Sequence, residues 1–294
     1  MKINCITFSV VFKMEIGNSN SGYNQDIIST LKKIELPNGD SYPYISGQSI
    51  RRMVRERMKD FGFPFSPKSL ESGQGKSPFV TACDPVKYPD DDLFGFMDPK
   101  PKLSRTRTSP VRVSPAIAMF PYNYDRDLGI QNNSDINRDH RMYETEVTSN
   151  LYTYSVLIEV DRIGKGESEI INEGKLSNWE IELGERIKRI KGVLRAFLYL
   201  WGGGKQSRLL TNQKPIALAI SMQSVKNPLW MGKISIDETK RLNDESLEKI
   251  IKENSEIIDY AGIGVEDDLI KSIKFKKTPK EIMNEVIDRV GGIF

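Results

Sequence analysis

The chain has 294 residues, of which 38% are apolar and 28% are charged, and its formal net charge is +3. This composition is typical of one large folded domain or two small ones, and it excludes wholesale disorder. No apolar run approaches the roughly 18 residues that cross a bilayer, and the first residues lack a signal-peptide pattern. We therefore expect no membrane association.

Few residues are available for thiol, metal or histidine chemistry. The two cysteines, Cys5 and Cys83, are far apart in sequence, and His140 is the single histidine. This set excludes a disulfide framework and a zinc site built from His and Cys within one chain. His140 lies in a polar stretch that predicts a solvated loop. We expect a reduced, cytoplasmic protein without a metal or other cofactor.

The first elements of the chain are a strand, a polar loop and a helix. Residues 4–15 alternate in part between apolar and polar side chains, which predicts a strand, and residues 17–22 form a Gly/Asn/Ser loop. Ser46 is a good N-cap for the helix that follows. The apolar positions of that helix are Ile50, Met53, Val54 and Met58. Their spacing predicts a stripe that faces a core, with the arginines of the helix outside it.

Residues 61–149 show neither the hydrophobic periodicity of a helix nor that of a strand over any long stretch. They predict an inserted subdomain or a projecting arm with short strands. Within them, Asp90, Asp91 and Asp92 are expected to form an exposed acidic turn. Residues 151–161 predict a strong strand, because they are rich in β-branched and aromatic side chains. Residues 178–201 predict a helix that ends at a run of three glycines. Its apolar positions between Ile187 and Trp201 predict a stripe that faces a core, and the opposite face carries Lys188, Arg189, Lys191 and Arg195.

Residues 215–223 predict a last buried strand, and the acidic segment after Trp230 predicts one or two peripheral helices. The order strand, helix, insertion, strand, helix, strand indicates an α+β fold that is compatible with a split βαβ, ferredoxin-like core. The predicted organisation is a discontinuous core of residues 1–60 and 150–225, an inserted region of residues 61–149 and a C-terminal helical segment of residues 226–294.

The positive charge is concentrated in three clusters. Residues 234–294 carry a net charge of −4, so the residues before them carry +7. The basic clusters are residues 48–59, 100–112 and 186–214, and the last two contain no acidic residue. Any one of them alone is compatible with a solvated face. Together they favour a polyanion, and nucleic acid in particular, as the partner.

Two short motifs in these clusters suggest phosphate contacts. The loop Gly202-Gly203-Gly204-Lys205 fits neither a Walker A motif nor a dinucleotide fingerprint. Its glycines nevertheless allow another backbone to approach the loop closely, and Lys205 and Arg208 are available to bind phosphates. A flexible helix C-cap is the alternative. The second motif is a basic ribbon from Leu103 to Arg112, in which hydroxyl and guanidinium side chains alternate. On a strand, Arg105 and Arg107 share one face and can bind a nucleic-acid backbone through charge-assisted hydrogen bonds. A solvated charged hairpin is its alternative.

The order of these motifs resembles that of a known family. The segment from Tyr44 to Arg52, Ser104 to Arg112, the strand at residues 151–161 and the glycine loop follow one another as in the backbone subunit of type I CRISPR surveillance (Cascade) complexes. The similarity is to the Cas seven-type family in its DevR autoregulator branch. It covers about residues 1–225.

The resemblance implies a modified RRM-like palm with an inserted finger and thumb region. Such subunits stack in several copies along one guide RNA, contact other Cascade subunits and support pairing of the guide with target DNA without catalysis. The positions that it places along the guide RNA are Ser46, Gly47, Gln48, Arg51, Arg52, Arg55, Gly203, Gly204, Lys205, Gln206 and Arg208. The charge pattern adds Arg105, Arg107 and Arg112 as RNA-binding candidates.

The function that the resemblance implies is that of a non-catalytic, RNA-binding scaffold in antiviral defence. Two alternative functions remain. In the type III branch of the superfamily, an aspartate in the loop before the corresponding helix cuts target RNA, and Asp26 lies in the comparable loop. The chain would then be a metal-dependent endoribonuclease. The name of the autoregulator branch suggests the other alternative, a transcriptional regulator that binds duplex DNA.

Overall fold

The computed structural model describes residues 1–25, 27–37, 39–67, 69–70, 79–98, 104–131, 141–237, 239–266 and 268–294. Its strands are β1 (Cys5–Gly17), β2 (Ser21–Gln25), β3 (Ile28–Leu31), β4 (Lys33–Glu35), β5 (Ser41–Ile45), β6 (Ser69–Leu70), β7 (Phe79–Val80), β8 (Phe96–Asp98), β9 (Arg105–Arg107), β10 (Val111–Val113), β11 (Ala116–Ala118), β12 (Asp125–Gln131), β13 (Arg141–Ile158), β14 (Lys165–Asn172), β15 (Lys175–Glu180), β16 (Pro215–Gln223) and β17 (Ile258–Val265). Its helices are α1 (Gly47–Asp60), α2 (Pro89–Phe94), α3 (Leu183–Leu198), α4 (Asp244–Glu253), α5 (Pro279–Arg289) and a short 3₁₀ helix, Val290–Gly292. Within these ranges no helix is both long and apolar enough to cross a membrane.

Strand β1 lies in the middle of an eleven-stranded, mostly antiparallel sheet whose main path is β17-β16-β1-β13-β11-β5-β4. Phe8 on β1 lies opposite Val156 on β13 and opposite Ile220 on β16. The C-terminal half of β13 also pairs with β10 and β11, whereas its N-terminal half pairs with β12 and β3. The structure therefore confirms a mixed α/β architecture with a large antiparallel sheet.

The main hydrophobic core lies between one face of this sheet and helices α1, α3 and α5. Alternate side chains of β1 point into it, and Phe8 packs edge-to-face on Phe197 of α3 with 5.1 Å between the ring centroids. Each fully buried side chain of this kind contributes about 1.5–3 kcal/mol to folding. The period-2 pattern predicted for residues 4–15 is thus confirmed, and the strand extends to Gly17.

Helix α1 begins as predicted. Ser46 is its N-cap, and the Ser46 Oγ accepts a hydrogen bond from the backbone N–H of Ser49 at 3.3 Å. The predicted apolar stripe is buried. The second helix is shorter than predicted, because residues 175–180 form β15, which pairs with β14 across a turn. Glu173 and Gly174 have positive φ angles of 48° and 76°, as a tight hairpin turn requires.

The C-terminal segment is not peripheral, contrary to the sequence prediction. In addition to α4 and α5 it contains β17, which pairs with β16 and extends the main sheet. Trp230 is fully buried on the second face of the sheet, where it packs in a cluster with Val11, Leu247 and Ile263. The segment therefore covers a sheet face that would otherwise expose apolar side chains to water.

The acidic run in the inserted region is buried, so the prediction of an exposed turn is wrong. Asp90, Asp91 and Asp92 lie on α2, and their exposed fractions are 5%, 0% and 0%. The Asp92 carboxylate accepts hydrogen bonds from the guanidinium groups of Arg107 and Arg189. Because these two arginines neutralise it, the carboxylate can be buried.

Arg189 joins the inserted region to α3. The sequence places it on the solvent side of the helix, but it is 1% exposed. Its Nη1 donates to Asp92 Oδ2 at 2.8 Å and to the Pro85 carbonyl at 2.7 Å, and its Nη2 donates to the Val86 carbonyl at 2.7 Å. One side chain thus fixes the start of α2 and the loop before it against the helical layer.

We expect Arg189→Ala to lower the free energy of unfolding by about 3 kcal/mol, because it leaves a buried carboxylate and two carbonyls short of donors. Lys188→Ala is the matched control, since Lys188 is next to Arg189 on α3 and its side chain is 67% exposed. The control should change the stability by less than about 0.5 kcal/mol. The measurement is the urea midpoint of each variant, and equal midpoints for the two would contradict the structural role of Arg189.

Candidate nucleic-acid interface

Three segments that are far apart in sequence meet at one end of the sheet. They are the loop after β1, the start of α1 and the glycine loop between α3 and β16. The backbone N–H of Gly204 donates to the Asn18 carbonyl at 2.8 Å, and the backbone N–H of Ser46 donates to Asn20 Oδ1 at 3.1 Å. The loop after β1 therefore holds the other two segments in fixed positions.

Several positions in this region must be glycine, because other parts of the chain approach them too closely for a side chain. Gly202 and Gly203 have φ angles of 149° and 138°, which side chains rarely allow. A Cβ atom on Gly204 would lie 2.2 Å from Asn18 Oδ1. A Cβ atom on Gly47 would lie 2.3 Å from the carbonyl oxygen of Val113 on β10. The glycine loop is thus a packed element and not only a flexible end of α3, which finishes at Leu198.

A groove of about 560 Å³ lies between α1 and the glycine loop. Its lining residues are Ser49, Arg52, Met53, Glu56, Arg57, Trp201, Gly203, Lys205 and Gln206. Arg52, Lys205 and Gln206 are exposed, so the fold brings a cation from the first basic cluster next to one from the third. Two solvent-accessible cations in one polar groove can bind phosphate groups of a nucleic-acid backbone.

Arg51 and Arg55 lie on a different side of α1, against the inserted region. Their guanidinium carbons lie 5.8 Å and 4.9 Å from the centroid of the Phe94 ring, and Arg51 also donates to the Phe94 carbonyl. Burial lowers the pKa of both arginines, although Asp90 and Asp91 act in the opposite direction on Arg55. These two predicted RNA contacts therefore do not line the groove.

The predicted basic ribbon is corrected by the structure. Arg105 and Arg107 do share one face of β9, but that face is turned into the protein. Arg107 is 2% exposed and pairs with Asp92 and Glu169, and Arg105 pairs with Asp98 at 3.0 Å. Their guanidinium groups hold the inserted region together and are not available to RNA in this conformation.

Arg112, the last arginine of the predicted ribbon, remains on the surface. Its side chain is 55% exposed, and its Nη2 forms an ion pair with Glu159 at 2.9 Å. It lies on β10, outside the lining of the groove. Residues 100–103 of the second basic cluster lie outside the described residues, as do the candidate nuclease residue Asp26 and the predicted loop histidine His140.

Arg208 connects the glycine loop to the hairpin of β12 and β13. Its Nη1 lies 3.1 Å from Asp127 Oδ2 and donates to the Tyr143 hydroxyl at 3.0 Å, and its Nη2 donates to Thr145 Oγ1 at 3.1 Å. Its guanidinium also lies over the Tyr143 ring, 4.7 Å from the centroid. The residue remains exposed, so it fixes the hairpin and still offers positive charge beside Lys205.

Sequence reasoning misses four residues of the interface. Asn18 and Asn20 make the contacts that join the loops, and in the sequence they are only members of a polar loop. Arg57 belongs to the first basic cluster without a distinct role, and Trp201 belongs to the apolar stripe of the second predicted helix. No local signal could place Arg57 and Trp201 together, because they come from different parts of the chain.

The fold and the groove define a mixed α/β protein with a basic, solvent-open site suited to a polyanion. Residues 6–238 match the family described as "CRISPR-associated negative auto-regulator DevR/Csa2". Because this match spans most of the chain, the protein belongs to that family, and the resemblance to the DevR branch is confirmed. No curated protein matches the sequence.

Solved structures with a similar fold include two chains of CRISPR surveillance complexes. One is a chain of a "CRISPR RNA-guided surveillance complex, pre-nicking", with a TM-score of 0.63 and 13% identity, over 97% of this chain and 100% of that chain. The other is a chain of a "CRISPR RNA-guided surveillance complex", with a TM-score of 0.60 and 13% identity, over 97% of this chain and 98% of that chain. At this identity the similarity concerns the fold.

Gly47→Ala tests the packing that places α1 at the groove. The added methyl group meets a backbone carbonyl, so we expect a loss of about 1–3 kcal/mol in the free energy of unfolding. Gly184→Ala is the matched control, because Gly184 also lies in the first turn of a helix but a Cβ atom there would meet nothing within 4 Å. The control should be neutral or more stable by up to about 1 kcal/mol. Urea unfolding measures both, and an unchanged Gly47→Ala midpoint would contradict the packing.

Proposed function

We propose that the chain is a non-catalytic crRNA-binding backbone subunit of a type I CRISPR Cascade complex. Several copies stack along one guide RNA, which pairs with target DNA, and other Cascade subunits bind the same particle in the cytoplasm. The observation that carries this proposal is the groove in which Arg52 of α1 and Lys205 of the glycine loop lie together. Membership of a CRISPR-associated family and the fold of surveillance-complex chains support it.

The core of this subunit is, in our proposal, a modified RRM-like palm. The supporting observation is the strand order β16-β1-β13-β11, in which α1 follows β1 and α3 lies between β13 and β16. This is the order of a split βαβ, ferredoxin-like fold when β10 and β11 together count as its second strand. In this assignment the groove lies at the end of the sheet where β1 leads into the loop at Asn18.

The hairpin of β12 and β13 is proposed as part of the finger and thumb region that contacts the next copy. Leu128, Ile130 and Met142 are each more than half exposed. The register pairs Ile130 with Met142 and places Leu128 two residues away on the same strand, so the three side chains lie on one face. Such a contiguous apolar face can serve as a contact for another protein chain.

The groove suits backbone binding without sequence readout. Arg52 and Lys205 bind phosphate oxygens through charge-assisted hydrogen bonds, and the side chains of Gln206 and Ser49 can hydrogen-bond to phosphate or ribose oxygens. A guide RNA has a different sequence in each complex, so its subunits must hold the backbone while base pairing selects the target. No cofactor and no catalytic residue is needed for this role.

A second candidate function is that of a transcriptional regulator that binds duplex DNA. The family description, "negative auto-regulator", is the observation that favours it. The cations of the groove would then bind duplex phosphates. The two functions differ in the nucleic acid that they prefer.

Arg52→Ala should weaken binding of single-stranded RNA equally for different sequences, because the lost contact is to the backbone. It should also reduce the slope of log Kd against log salt concentration by about 0.7. The measurement is fluorescence anisotropy with labelled RNA at several salt concentrations. Arg195→Ala is the matched control, since Arg195 is an exposed arginine of α3 that does not line the groove, and it should leave the slope unchanged.

Two outcomes would contradict the proposed scaffold function. A loss of affinity that depends on the RNA sequence would show that Arg52 reads bases. Tighter binding of duplex DNA than of single-stranded RNA, at the same length and salt concentration, would favour the regulator.

A further inference from the structure

We propose that Trp201 is a stacking platform for a nucleobase of the single-stranded RNA and that Arg57 holds its ring in place. The inference deepens the proposed function and rests on it, since it names a base contact beside the phosphate contacts of the same groove. Neither residue belongs to the phosphate-binding set predicted from the sequence.

Trp201 differs from the other two tryptophans in its exposure. Trp179 is 6% exposed and Trp230 is fully buried, whereas Trp201 is 41% exposed and lines the groove. Its backbone is paired with that of Asn212 in an isolated β-bridge, so the residue is fixed although it follows the end of α3. The ring therefore presents part of its surface to the groove, where the base of a ligand can cover it.

Arg57 restricts the ring from one side. Its guanidinium carbon lies 4.2 Å from the centroid of the Trp201 ring, which is a cation–π arrangement, and its Nε lies 3.0 Å from Asp60 Oδ2. Arg57 is 8% exposed, and its Nη1 atom is buried without a hydrogen-bond partner among the described residues. A guanidinium enclosed in this way holds the ring that packs on it in one position.

The other residues of the groove indicate that the ligand that covers Trp201 is a nucleotide unit. Arg52 and Lys205 provide positive charge for the phosphate, Trp201 provides a flat apolar surface for the base, and the volume of about 560 Å³ is in the range of small-molecule sites. Stacking on an aromatic ring tolerates any base, because every base has a π face. Such a contact is therefore compatible with guides of any sequence.

The location of the three tryptophans gives a direct test. The full-length protein is freed of bound nucleic acid at high salt and titrated with a labelled single-stranded RNA, with anisotropy and tryptophan emission recorded together. We expect the emission of the wild type to change in parallel with the anisotropy. Trp201→Phe retains the two buried tryptophans and a stacking ring, so it should bind with little loss and show no emission change.

Trp201→Ala separates stacking from charge. We expect the affinity to fall by between about 5-fold and about 100-fold, with the salt slope unchanged, because no phosphate contact is removed. Tyr199→Ala is the matched control, since Tyr199 is 50% exposed, lies two residues away and does not line the groove. It should bind as the wild type does. A lowered salt slope for Trp201→Ala would indicate a general disturbance of the groove and would overturn the inference.

The outcomes distinguish the inference from the proposed function. If RNA raises the anisotropy but leaves the wild-type emission unchanged, or if Trp201→Phe shows the same emission change, Trp201 does not stack and the phosphate-binding scaffold stands. If the wild type shows no anisotropy change, the protein does not bind RNA, and both proposals are overturned.

Discussion

The pairing of β1 with β13 and β16 is the constraint on which the rest of the structure depends. Because β1 is central, its register fixes both the loop that follows it and the strand that follows the glycine loop. The Asn18 carbonyl then accepts a hydrogen bond from Gly204, and Asn20 accepts one from Ser46. The candidate interface therefore results from the backbone of the sheet, and hydrogen bonds from the loop after β1 position the elements that carry its cations.

The positive charge of the chain serves two purposes that a count of residues does not separate. Arg107 and Arg189 are buried with acidic partners and join the inserted region to the helices, so their charge is neutralised inside the protein. Arg52 and Lys205 remain in contact with solvent at the groove. Among the described residues, the positive charge that faces solvent is thus smaller than the three basic clusters suggest.

Local signals in the sequence predict some elements well. The alternation in β1, the Ser46 cap and the apolar stripe of α1 report contacts made within one element, and the structure confirms all three. The burial of Asp90–Asp92 and the place of β17 in the sheet depend on partners distant in sequence, and both predictions are wrong. The groove follows the same rule, since the approach of Trp201 to Arg57 depends on tertiary packing.

The most direct test of the central claim is the nucleic acid that accompanies the protein in cells. The chain is expressed with the genes that neighbour its own, purified, and sized, and any bound nucleic acid is sequenced. We expect short, repeat-derived RNAs in a large particle that contains several copies of the chain. A monomer free of RNA, obtained in the presence of the other subunits, would contradict it.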